Sequence, residues 1–130
     1  EGRQQANAVN FSTTKVSGLQ VANVLDGDYV VKGVNQLNGS GYVVSDEDVF
    51  HWQKVLARRE GIFCEPAGAV ALAGLHQAIQ EKRVDLNETF ACLVTGSGFK
   101  DMASVDNNFE LAAVSPESEE VAINSIINLF

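Results

Sequence analysis

The sequence predicts an α/β fold, and three observations carry the prediction. Residues 46–60 and 66–83 read as helices, the first from an apolar stripe and the second from a proline-led, alanine- and glycine-rich run. Residues 89–94 form a short apolar run, partly β-branched and aromatic, of strand length. That run ends in a glycine turn, Thr95-Gly96-Ser97-Gly98, ahead of a further helix start. Helices alternating with short buried strands imply parallel strands covered on both faces. Only residues 42–44 and 89–94 qualify as strands, and a parallel sheet needs more. Part of the sheet is therefore expected from residues upstream or from a partner chain.

Taken in order, the first twenty-five residues are polar and weakly patterned, with Ser12, Thr13, Thr14, Ser17 and Gly18 breaking any long period. Residues 28–37 place Val30, Val31, Val34 and Leu37 at helical spacing, and Asn38-Gly39-Ser40-Gly41 supplies the turn that ends the helix. After the short strand at 42–44, Ser45-Asp46-Glu47-Asp48 is a helix start: the hydroxyl can accept an orphan amide, and the acids face the positive end of the helix dipole. Val49, Trp52, Val55 and Leu56 give that helix its apolar stripe, and Gly61 ends it. Pro66 fits the first turn of the next helix, where its missing amide costs nothing. Alanine and glycine on several faces then suit close packing through Ile79. Ser115-Pro116-Glu117 reads as the cap of a last helix carrying Val121, Ile123, Ile126, Ile127 and Leu129.

Composition removes several function classes. A net charge of −8, from 17 acidic and 9 basic residues with no basic cluster, repels nucleic acid and anionic membrane surfaces. No apolar run approaches the ~20 residues that span a bilayer, and no signal peptide heads the chain. Two cysteines, Cys64 and Cys92, sit far apart in apolar runs and read as buried, reduced thiols, which points to a cytoplasmic setting. His51 and His76 have no second ligand at metal spacing and read as surface residues of helices.

Two motifs carry chemistry. A strand ending in Thr95-Gly96-Ser97-Gly98 puts amides and hydroxyls where α/β proteins bind ligands, although the same residues also make an ordinary turn. The spacing is not that of a nucleotide P-loop, because Lys100 comes too late and no Ser or Thr follows it. Glu65, directly before Pro66, is either a capping acid or a carboxylate in a site wall. Its charge beside Cys64 raises the thiol pKa and argues against a nucleophile. Lys100 and Asp101 read as helix-start charges or a local salt bridge. The acids between positions 106 and 120 read as a solvated face.

Gly61-Ile62-Phe63-Cys64-Glu65-Pro66-Ala67-Gly68-Ala69, followed by Leu93-Val94-Thr95-Gly96-Ser97-Gly98-Phe99-Lys100-Asp101, resembles the C-terminal part of the threonine synthases. These lie in the tryptophan synthase β-like class, fold type II, of pyridoxal phosphate enzymes. The stretch from Val43 to Asp48 extends the resemblance to roughly residues 10–105. It implies a three-layer α/β/α domain, with residues 1–130 as its C-terminal portion and the Schiff-base lysine upstream. It also implies Thr95 facing the pyridine nitrogen, Gly96 and Gly98 letting backbone approach the cofactor, and Glu65 in the adjoining wall. Lys100 sits in a sequence that imitates the Schiff-base motif with one glycine inserted, yet its place matches the family's C-terminal signature, which makes it structural. Phe99 stands where leucine is usual. The parent implied is a homodimeric lyase that converts O-phosphohomoserine, a phosphorylated amino acid, to threonine and phosphate, while this portion alone is inactive. A related lyase (threonine dehydratase or cysteate synthase) and a non-catalytic interaction module stand as the alternatives. The chain begins at Glu1, and this start weighs against the module.

Overall fold

In the computed structural model the structure describes residues 5–108. Four α-helices form there: α1 (Gly27–Gln36), α2 (Asp46–Val55), α3 (Val70–Gln80) and α4 (Met102–Asn108). Helix α2 widens at its end into a π-helical turn, Leu56–Glu60. Short 3-10 turns at Pro66–Ala69 and Gly98–Asp101 lead directly into α3 and α4. The helix expected after Ser115 lies outside the described residues, as do the acids beyond position 108.

Local chemistry accounts for the helix ends. The Ser45 hydroxyl accepts the Asp48 amide at 3.1 Å and donates to the Asp48 carboxylate at 2.7 Å, so α2 starts where its cap predicts. Gly61 ends the π-helical turn in the left-handed region at φ 66°. Asn38 closes α1 in the same way, at φ 51°, with the Gly39 amide returning to the Val34 carbonyl at 2.8 Å. Pro66 occupies the first turn of the segment that becomes α3, as its sequence position requires.

Helix α2 packs on α3 and on the Pro66–Ala69 turn, which together form the centre of the molecule. The buried cluster there is Val16, Val49, Leu56, Cys64, Ala69 and Ala73, with Val44 and Val94 packed against it. Small residues at 69 and 73 let α3 approach α2 closely. Trp52 is wedged between two helical histidines, its ring 5.7 Å from His51 and 5.1 Å from His76. His51 is exposed as expected. His76 is half-buried against that indole and is no free surface residue.

The expected sheet does not form among the described residues. Residues 42–44 and 89–94 are irregular, and the sole β-type pairing among the described residues is an isolated antiparallel bridge between Cys64 and Ser97. The physical reason is the absence of neighbours: among the described residues no backbone hydrogen bond involves residues 40–44 or 89–95. Strand propensity describes fit to a pleated surface and makes no strand without a second one to pair with. The side chains still alternate. Val44 and Val94 face the core, whereas Val43 is 92% exposed and Leu93 82% exposed.

The weakly patterned N-terminal segment is tied down more firmly than its sequence suggested. Val16 is fully buried. On one side of it the Thr14 hydroxyl and the Lys15 amide donate to the Asp46 carboxylate, and on the other the Ser17 hydroxyl donates to Asp101 at 2.8 Å. These bonds hold both carboxyls below their ordinary range: Asp46 chiefly through the Lys15 amide and then the Thr14 hydroxyl, Asp101 chiefly through the Ser104 hydroxyl and then Ser17. A carboxyl with a depressed folded-state pKa adds stability that is complete above its unfolded value and is lost as pH falls through the folded one. Acidification from about pH 5 to about pH 2 should therefore release residues 14–18 from α2 and the start of α4. A falling protection factor for the Lys15 amide in hydrogen exchange checks this, and Asp46→Ala should show the released state already at neutral pH.

Candidate functional site

The two sequence motifs meet along a short antiparallel contact. The Glu65 amide donates to the Gly96 carbonyl at 3.2 Å, the Gly98 amide donates to the Phe63 carbonyl at 3.0 Å, and Cys64 and Ser97 stand opposite each other between them. This places Glu65 beside the Thr95–Gly96 peptide, although thirty residues of chain separate them.

Three glycines make that approach possible. Gly96 adopts φ 67°, and a Cβ there would run into the Glu65 carboxylate. At Gly98 a Cβ would meet the Phe63 ring, and at Gly68 it would meet the Thr95 carbonyl. The turn at residues 95–98 is thus clamped between residues 63–65 on one side and the Pro66–Ala69 turn on the other. The open backbone that the sequence suggests for a ligand is used here by the two motifs for each other. Phe99 completes the clamp by packing edge-on against Phe63, with ring centroids 5.0 Å apart.

Charge is concentrated at the same point. The Glu65 side chain is only 18% exposed and pairs with the Lys100 ammonium at 3.4 Å, while Lys100 is 66% exposed. An ion pair this open to solvent contributes at most about 1 kcal/mol, so it orients Glu65 more than it stabilises the fold. Thr95 is exposed at the rim. Ser97 caps the following turn by accepting the Phe99 amide at 3.4 Å. The Cys64 thiol is pushed up by burial first, with the Glu65 charge acting in the same direction to a lesser degree. It is a core residue and no nucleophile.

The structure therefore brings together Glu65, Thr95 and Gly96, the three residues singled out from the sequence, with Lys100 as the partner of Glu65. Sequence reasoning missed Gly68 as the seat of the Thr95 carbonyl, and Gln53, whose buried side chain donates to the Cys64 carbonyl at 2.8 Å. A glycine two residues after a helix-initiating proline was the available signal for the first; nothing in the pattern of α2 marked the second. A groove of about 960 Å3 lies elsewhere, between residues 13–15 and residues 43–47 with Phe50 and Ser104. It borders residues 43–44, which pair with no strand among the described residues. The candidate site is assigned from its chemistry, not from its volume. Among the described residues no group of three metal-ligating side chains converges.

Gly96→Ala tests the clamp. A non-glycine residue in the left-handed region costs roughly 1–2 kcal/mol, and the new methyl must also displace the Glu65 carboxylate. The expected result in denaturant unfolding is a loss of about 2 kcal/mol or more. A change within about 0.5 kcal/mol would mean that the contact is not formed.

Comparison with known proteins gives the family of the chain. The profile of the family described as pyridoxal-phosphate dependent enzyme matches residues 1–96. The threonine synthase of Bacillus sp. (strain ULM1) is 31% identical over 119 residues, covering 90% of this chain and 34% of the relative. That of Methanocaldococcus jannaschii is 35% identical over 88 residues, covering 68% and 22%. That of Synechocystis sp. is 31% identical over 121 residues, covering 91% and 31%. The chain thus spans about a third or less of the length of the curated relatives it matches. With a profile extending over most of its residues, the chain belongs to the pyridoxal-phosphate dependent enzyme family.

Proposed function

We propose that this chain is the C-terminal portion of a threonine synthase, a lyase that converts O-phosphohomoserine and water to threonine and phosphate, and that it supplies the wall on which the cofactor's pyridine edge rests. The observation that carries the reading is the convergence of Glu65, Thr95 and Gly96 through two backbone hydrogen bonds and a glycine held at φ 67°.

The residues present fit one edge of pyridoxal phosphate. Thr95 offers an exposed hydroxyl that can donate to a ring nitrogen. A hydroxyl donor keeps its own proton, so the ring would remain unprotonated where a carboxylate partner would favour the protonated form. Bound there, the cofactor supplies an electron-accepting ring that eases removal of a proton from carbon. Glu65 is held by its own amide and by Lys100, which leaves its carboxylate fixed at the back of Gly96. Ser97 and Gly98 keep the turn closed under Thr95.

Substrate, assembly and compartment follow from this reading. A phosphorylated amino acid is the small-molecule substrate, a homodimer is the assembled form, and the cytoplasm is the working compartment. No helix among the described residues is long and apolar enough to cross a membrane. The chain alone carries only part of the site, and cooperating catalytic groups lose far more than additively when separated. It is therefore inactive by itself.

Thr95→Asp in the protein that carries this chain is the test. A carboxylate at the ring nitrogen should shift the visible absorbance of the bound cofactor and its dependence on pH. An unchanged spectrum would remove Thr95 from the cofactor. Phosphate release from O-phosphohomoserine then separates a synthase from a dehydratase, which would instead release ammonia from threonine.

A further inference from the structure

We propose that Gln53 is a positioning residue of the candidate site: from α2 it fixes the Cys64 carbonyl, and with it the register in which Glu65 meets Gly96. The inference deepens the reading given above and rests on it for its function, though its geometry stands independently.

In the antiparallel contact, Phe63 and Glu65 direct their bonding groups toward residues 96–98. The intervening residue of such a pair points its carbonyl the other way. Cys64 does so, and where a sheet would offer the amide of a further strand, Gln53 offers its side-chain amide at 2.8 Å. The side chain stands in for a strand and closes the outer edge of residues 63–65. Without it the Cys64 carbonyl would be left unpaired, because Cys64 is 2% exposed and water does not reach it.

The cost of the arrangement supports a specific role. Gln53 is fully buried, and its Oε1 is buried without a hydrogen-bond partner among the described residues. A residue needed only for packing would be served by an apolar side chain of similar volume, which carries no such desolvation cost. The glutamine is explained by what its Nε2 holds. Helix α2 is a firm base for the purpose, being capped by Ser45 and packed on both α3 and the Pro66–Ala69 turn.

Gln53→Met keeps the volume and removes the donor. Hydrogen exchange read by mass spectrometry, with no added cofactor, then compares three peptides: residues 62–69, residues 94–101 and, as a reference, residues 71–80 of α3. The expected result is exchange about tenfold faster in the first two, with the α3 peptide changed less than about twofold. No change, or one equal factor across all three, would overturn the proposal, since the second pattern describes a residue that only stabilises the core. If the variant does not fold, the unaltered protein decides the matter. With selectively labelled glutamine, the Gln53 side-chain amide protons should exchange at least about tenfold more slowly than those of exposed Gln80, and equal rates would overturn the hydrogen bond. Because none of these measurements involves the cofactor, a failure here and a failure of the Thr95 spectral test are separate results.

Discussion

The candidate site depends on how closely two chain segments can approach. Residues 63–65 and 96–98 are joined by only two backbone hydrogen bonds, yet those bonds decide where Glu65, Thr95 and Lys100 stand. Two bonds are a weak tether in water, each contributing about 1 kcal/mol net. What makes the contact hold is the packing beside it. Gly68 admits the Thr95 carbonyl, Gly98 lies under the Phe63 ring, and Gln53 occupies the outer edge. Each glycine is placed where a methyl group would force the segments apart, so the motif spelling is a packing requirement before it is a chemical one.

That ordering explains which parts were legible in the sequence. Local rules performed well because they act over a few residues: the Ser45 cap, the Gly61 stop and Pro66 at the start of its turn all lie where hydrogen-bonding and dihedral constraints put them. The pairing of Glu65 with residues 95 and 96 was legible only through the family resemblance, since nothing in composition or spacing joins positions thirty residues apart. The role of Gly68 was visible as a small residue but not as a seat for the Thr95 carbonyl, which needs the third dimension. Val16 and Ser17 escaped because their order comes from Asp46 and Asp101, far along the chain, and leaves no periodic trace.

The strands are the informative difference. Residues 42–44 and 89–94 keep the alternation of a sheet, with Val44 and Val94 inward and Val43 and Leu93 outward, but not its hydrogen bonds. Side-chain burial on one face is decided by the helices present here; backbone pairing is decided by neighbours in the sheet. Val43 and Leu93 are large apolar side chains almost bare to solvent, an arrangement with a hydrophobic cost that covering by further strands and helices would remove. The groove along residues 43–47 belongs to the same account: it runs beside backbone that pairs with no strand among the described residues.

Lys100 shows how geometry separates look-alike motifs. Ser97-Gly98-Phe99-Lys100-Asp101 imitates a sequence that carries a Schiff-base lysine, and in an isolated stretch the two are hard to tell apart. The surroundings differ in kind. An amine that is to add to a carbonyl must present a lone pair, which calls for desolvation or a neighbouring cation. Lys100 is two-thirds exposed and lies 3.4 Å from a carboxylate that is itself mostly buried, an ion-pair geometry that orients Glu65. On the proposed reading the reacting amine is therefore a different lysine, and the charge of Lys100 holds in place the carboxylate that backs Gly96.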